Sequence, residues 1–145
     1  MKICLTIHSL QVGGMERVMS IIATYLAHKT DIEVHLLMYG ISPVLFYEIP
    51  SRVIVHKPDF RFKNKFRLYY TVKTILYIRN RVKKIDPVSI LSFGEYFNNL
   101  VLLSLIGLKK SVFVSDRCQP TKSLGFLHDL LRRWLYPQAE GVIVQ

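Results

Sequence analysis

With 145 residues, half of them hydrophobic, the chain is long enough for one domain with a core of its own, and its composition gives no sign of disorder. Twenty Lys and Arg against ten Asp and Glu leave a formal charge of +10, which points to an anionic partner: nucleotide phosphate, acidic lipid headgroups or nucleic acid. Two distant cysteines and five scattered histidines make no metal-binding spacing, the start MKICLTIHS lacks the layout of a secretion signal, and the longest apolar segment, 100–108, is too short to span a bilayer.

The first element is a run of apolar and β-branched residues over 2–7, suited to a buried strand. A polar segment over 9–14 breaks it. Met15, Val18, Met19, Ile22, Ala23 and Leu26 then recur at helical spacing, giving a strand, a glycine-containing loop and a helix. A second strand is expected over 32–38 (IEVHLLM), a short edge strand over 45–47 and a third main strand over 52–55 (RVIV). Residues 58–65 (PDFRFKNK) read as a basic, aromatic loop.

A long helix follows over 66–84. Its inward stripe is expected to be Leu68, Thr71, Val72, Ile75, Ile78 and Val82, with Tyr70, Lys73, Tyr77, Arg81 and Lys84 on another face. Asp86-Pro87 ends it. A fourth strand over 88–92 (VSILS) leads through Phe93-Gly94 into a helix over 95–106, apolar nearly all round beyond Asn98 and Asn99, with Gly107 as its stop. A fifth strand over 111–115 (SVFVS) is followed by Asp116-Arg117 and by a helix in which Leu124, Leu127, Leu131, Trp134 and Leu135 share a face. A sixth strand begins at 141–145 (GVIVQ), with no polar tail after it, so the chain reads as one domain of a longer protein.

This alternation predicts an α/β fold: a doubly wound, mainly parallel, Rossmann-like sheet. Ligands of such sheets bind beyond the carboxyl ends of the strands, where strand order reverses. The residues leaving those ends are therefore the site candidates: His8 to Gly14, Tyr39-Gly40, Ser92 to Glu95 including Gly94, and Ser115 to Arg117 including Asp116.

Several chemistries fail on their motifs. The loop GGMER lacks the three-glycine dinucleotide fingerprint, and no acid closes the second strand to hold a ribose. The chain contains neither GxxxxGK[ST] nor G-x-S-x-G. No carboxylate pair suggests acid/base work, so no catalytic residue is assigned within the chain. The Gly13-Gly14 pair is either a tight connection or a place where a ligand approaches the backbone beside a helix N-terminus, which favours anions. Glu16 suits the dipole at a helix start, whereas Arg17 is mildly unfavourable there, which fits a role with an anion or a carboxylate. His8 lies near the predicted cleft, but a satisfied structural histidine is the favoured reading.

GGMERV at 13–18 resembles the GG-x-ER-V signature of retaining glycosyltransferases of family 4, GT-B type. SDRCQP at 115–120 is similar to a segment written SERN-x-P in relatives with that opening, with Asp116 in place of the commoner Glu and Cys118-Gln119 in place of the usual polar pair. The resemblance implies an acceptor-side N-terminal domain over 1–145, with a separate C-terminal domain holding most of a nucleotide-sugar donor. It also implies transfer with retention and without a metal or other cofactor, a saccharide or lipid-linked acceptor of a cell-envelope polysaccharide or glycolipid, and donor-phosphate contacts at Gly13, Gly14, Glu16 and Arg17. Residues 1–145 alone would then be inactive.

Arg61, Lys63, Lys65 and Arg67 precede the stripe of Tyr70, Lys73, Tyr77, Arg81 and Lys84. Aromatic rings among cations suit an anionic membrane interface, and equally an ordinary solvated face. No nucleic-acid-binding module is recognisable. The expected location is cytoplasmic, at the inner face of the cell membrane if the basic face engages lipid. A non-catalytic Rossmann-like module that binds an anionic ligand or a membrane surface is the competing reading.

Overall fold

Runs of β-branched and apolar residues joined by helices of ten or more residues dictate a sheet whose strands all point the same way. The computed structural model of the protein describes residues 1–40, 45–116 and 125–144. In chain order it contains β1 (Lys2–Ile7), α1 (Gly14–Ala27), β2 (Glu33–Met38), β3 (Ile54–His56), α2 (Arg67–Ile85), β4 (Ser89–Phe93), α3 (Glu95–Leu105), β5 (Ser111–Asp116), α4 (Phe126–Leu135) and β6 (Gly141–Val144). All the pairings between these strands are parallel, in the order β3-β2-β1-β4-β5-β6. The fold is the Rossmann-like, doubly wound α/β fold, and the order reverses between β1 and β4.

The pleat divides the core into two layers. Leu5, Ile7, Leu36 and Met38 face α1, where Met19, Ala23 and Ala27 pack on them. Their alternating neighbours Cys4, Leu37, Ile90, Val112 and Val114 face α2, α3 and α4. Full burial of one such aliphatic side chain stabilises the fold by about 1.5–3 kcal/mol, so a one-residue slip of β1 or β2 would be prohibitive. Burial also pushes the Cys4 thiol up to about 12, which keeps it protonated.

Two expected elements differ in detail. The edge strand over 45–47 is reduced to a single parallel bridge between Leu10 and Leu45, and β3 runs Ile54–His56 because His56 pairs with Leu37. Asp86, in the left-handed region at φ 54°, closes α2 where the sequence placed the stop.

The larger correction concerns the faces of α2. Its buried residues are Thr74, Tyr77, Ile78, Val82 and Ile85, while Leu68, Val72 and Leu76 are exposed. The reason is length. Nineteen residues make a helix of roughly 28 Å, whereas strands of five or six residues span roughly 17–20 Å. The second half of α2 packs on the sheet, and its first turns overhang the carboxyl edge, where no sheet exists to bury Leu68 or Val72.

Candidate functional site

His8 is the first residue beyond β1. Its ring stacks on Phe97 of α3, with centroids 4.3 Å apart and planes at 16°, and meets the edge of Tyr39 at 5.9 Å. The His8 carbonyl accepts a hydrogen bond from the Gly40 N–H at 2.7 Å, tying the ends of β1 and β2 together. Burial lowers the His8 pKa, with the charge of Glu16 opposing it, so the imidazole is neutral at pH 7.

Beside His8 opens a cavity of about 370 Å³. Its walls are the ends of β1 and β2 at His8, Tyr39 and Gly40; α2 at Arg67, Thr71 and Thr74; α3 at Tyr96, Phe97, Asn99, Leu100 and Leu103; and α4 at His128 and Leu131. Phe62 and Asn64 complete its rim. The overhang of α2 creates this space. Among the described residues, the buried Tyr39 Oη, Asn99 Oδ1 and His128 Nδ1 have no hydrogen-bond partner. Unsatisfied polar atoms are rare in native interiors, and three on the walls of one cavity mark the place as unusual.

The glycine loop lies next to the cavity without lining it. The Gly13 carbonyl accepts from Tyr47 Oη at 2.9 Å and from the Arg17 N–H at 3.0 Å, and its N–H donates to Tyr47 Oη at 3.3 Å. Gly13 is extended at φ 176°, so no positive φ is required of it. Its missing side chain instead leaves room for the Glu16 carboxylate, which folds back over it. Gly14 heads α1 with open space where a Cβ would project. Arg17 is exposed on the same turn.

The remaining candidates separate. Gly94, at φ 103° between β4 and α3, sits beside Met15 and so close to the glycine loop. Glu95 opens α3, and Arg117 lies outside the described residues. Ser92 is buried and donates to Asn98 Oδ1 at 2.8 Å. Asp116 is the last residue of β5, only 2 % exposed, and takes hydrogen bonds from Arg132, Tyr136 and Asn98. Ser92 and Asp116 thus belong to a buried network that ties α3 and α4 to the sheet, and neither lines the cavity.

Of the proposed membrane face, Arg61, Lys63, Lys65 and Lys84 are exposed. Tyr77 is buried, its phenol pushed up to about 12 chiefly by that burial. Tyr70 is half-buried between Phe60 and Phe62, Lys73 lies over the Phe60 ring at 4.6 Å, and Arg81 lies over the Tyr77 ring at 5.7 Å. The aromatic members of that expected face turn inward, because the sheet selects the other side of α2.

Sequence reasoning missed Phe97, Asn99 and His128. The pair Asn98-Asn99 at the head of an otherwise apolar helix was the available signal, because buried amides need partners. Among the described residues no three His, Cys, Asp or Glu side chains are gathered to hold a metal, and no helix is long and apolar enough to cross a membrane. No protein-family model matches this sequence, and no curated protein matches it either.

A second histidine group lies on β2 and β3. His35 Nε2 contacts Glu33 Oε1 at 2.7 Å, and its Nδ1 contacts His56 Nε2 at 3.0 Å. Burial and the positive charges of His35, Arg81 and Lys84 lower the His56 pKa. For His8 and His56 alike the folded state binds fewer protons than the unfolded one. Stability is therefore complete above the unfolded value of about 6.5 and declines as pH falls through it towards the lowered folded values. Thermal melts at pH 7 and pH 5 should show a loss on acidification that is smaller in the double variant His8→Phe/His56→Gln. An equal loss in both proteins would assign the pH dependence to other groups.

Proposed function

We propose that this chain is the acceptor-side N-terminal domain of a retaining glycosyltransferase that moves a sugar from a nucleotide-sugar donor to a cell-envelope saccharide or glycolipid. One observation carries the reading. The GGMERV loop and the His8 cavity both lie at the carboxyl end of β1, beside the strand-order reversal where open α/β sheets bind ligands. The donor is held mainly by a second domain facing this edge. The backbone of Gly13-Gly14 and the α1 N-terminus approach the donor phosphates, and Arg17 supplies a counter-charge. The neutral His8 ring, which receives no hydrogen bond from the described residues, hydrogen-bonds the acceptor at the mouth of the cavity. The domain works in the cytoplasm against the inner face of the membrane.

Gly14 provides the test. The space around it is open, so a methyl group costs nothing sterically at this first helical position. Gly14→Ala in the full-length protein is expected to leave the melting temperature unchanged and to cut sugar transfer at least tenfold, assayed with a panel of nucleotide sugars. Full activity in that variant removes the loop from donor binding. Absence of transfer or hydrolysis with every donor, from folded full-length protein, favours instead a non-catalytic module for anionic ligands, which the +10 charge also suits.

A further inference from the structure

We propose that the cavity between α2, α3 and α4 takes the hydrocarbon chain of an anionic amphiphile, a lipid phosphate drawn from the membrane surface. Identifying that lipid with the acceptor rests on the glycosyltransferase reading; the binding itself does not.

The cavity is lined largely by leucines and rings, and some of its polar groups are already engaged. Thr71 and Thr74 donate their hydroxyls to the α2 carbonyls of Arg67 and Tyr70, at 2.9 and 2.8 Å. Asn99 donates its Nδ2 to the His128 carbonyl at 3.0 Å. Tyr39 Oη, Asn99 Oδ1 and His128 Nδ1 leave a few polar positions on its walls, while Phe97, Leu100, Leu103 and Leu131 provide the continuous apolar surface that a hydrocarbon chain needs.

The surroundings say where such a chain comes from. Leu68 and Val72 lie one helical step from Arg67 and Thr71, and Leu68 is 80 % exposed. On α4, Phe126, Leu127, Leu130 and Trp134 are exposed, Phe126 at 85 %, around the cavity residues His128 and Leu131. Two helices that contribute cavity walls therefore each carry unburied apolar side chains, an arrangement that water disfavours and a bilayer accepts. Lys63, Lys65 and Arg67 stand at the head of α2, and Arg67 itself lines the cavity. Their charge selects an anionic headgroup over a neutral one.

The experiment uses the 145-residue chain, without any nucleotide sugar. Tetradecyl phosphate, below its micelle concentration, is titrated against it by calorimetry, with inorganic phosphate and tetradecanol as comparisons. Binding should be at least tenfold tighter for tetradecyl phosphate than for either comparison. Thr71→Trp, which narrows the cavity from a half-buried position, should weaken it at least tenfold; Leu103→Phe is the second filling variant if the first melts abnormally. Flotation with phosphatidylcholine vesicles containing phosphatidylglycerol reads the source of the lipid. Leu68→Gln/Phe126→Gln should abolish flotation and leave tetradecyl phosphate binding unchanged.

Inorganic phosphate binding as tightly as the alkyl phosphate would overturn the proposal, as would unaltered binding by a folded filling variant. Tetradecanol binding equally well overturns the anionic headgroup, and wild-type protein that fails to float overturns the membrane source. Because no donor is present, a failed transfer assay leaves these results standing, and failure here leaves the assignment of the glycine loop standing.

Discussion

Replacing Arg132 by methionine is expected to lower stability by about 3 kcal/mol, the range for breaking a buried ion pair from one side. Its partner Asp116 is 2 % exposed, so the carboxylate has almost no water to fall back on. The Arg132 guanidinium meets Asp116 Oδ2 at 2.5 Å, while Oδ1 accepts from Tyr136 Oη at 2.7 Å and Asn98 Nδ2 at 3.0 Å. Without Arg132 those two neutral donors remain, and they compensate a buried negative charge only in part. The guanidinium also lies over the Tyr136 ring, 5.0 Å from its centroid, so the variant loosens the turn after α4 as well. Urea denaturation should show the loss, and the melting temperature should fall by roughly 10 °C. In the double variant Arg132→Met/Asp116→Asn the buried charge is gone, so part of the loss should return, with a coupling of about 1–2 kcal/mol. A cost below about 1 kcal/mol for Arg132→Met would show that the pair does not anchor α4.

That network explains why one part of the site was illegible. In sequence, Asp116-Arg117 reads as a loop at the end of β5, with the resemblance suggesting ligand contact. The partners that occupy Asp116 come from Asn98, Arg132 and Tyr136, none of them its sequence neighbours, and no local pattern announces them. The strands were legible for the opposite reason. A parallel strand buried on both faces must be apolar almost throughout, and runs such as IEVHLLM and SVFVS can serve as little else. The α2 helix falls between these cases. Its existence follows from periodicity, but the stripe expected to face inward runs past the end of the sheet, and only the length of the sheet beneath decides how much of it is buried. Leu68 and Val72 lie over the edge of the sheet and stay exposed. The cavity is a product of the same overhang, so it was equally hidden.

The glycines that mattered most to the sequence reading are not the most constrained. Gly40→Ala is expected to cost about 2–4 kcal/mol, from within the range of about 1–3 kcal/mol usual for overpacking a core to somewhat above it. A Cβ at this position would collide with the His8 carbonyl oxygen and approach the His8 ring at 2.6 Å from Cε1 and 2.7 Å from Nδ1. Neither contact can retreat cheaply. The carbonyl accepts the Gly40 N–H at 2.7 Å immediately beyond the paired residues Ile7 and Met38, and the ring is held against Phe97. Relief requires parting the ends of β1 and β2 or swinging His8 out of its stack, and either movement reshapes the cavity wall. By contrast, a Cβ at Gly13 meets the far end of a flexible Glu16 side chain, so Gly13→Ala should cost only about 1 kcal/mol, the loss of a glycine at the helix N-cap. The background His8→Ala separates the two collisions at Gly40. It removes the ring and leaves the carbonyl, so if backbone contact dominates, Gly40→Ala should cost nearly as much there as in the wild type. A cost that vanishes in that background would place the constraint on the imidazole alone, and Gly40 would then be a glycine kept for the position of His8.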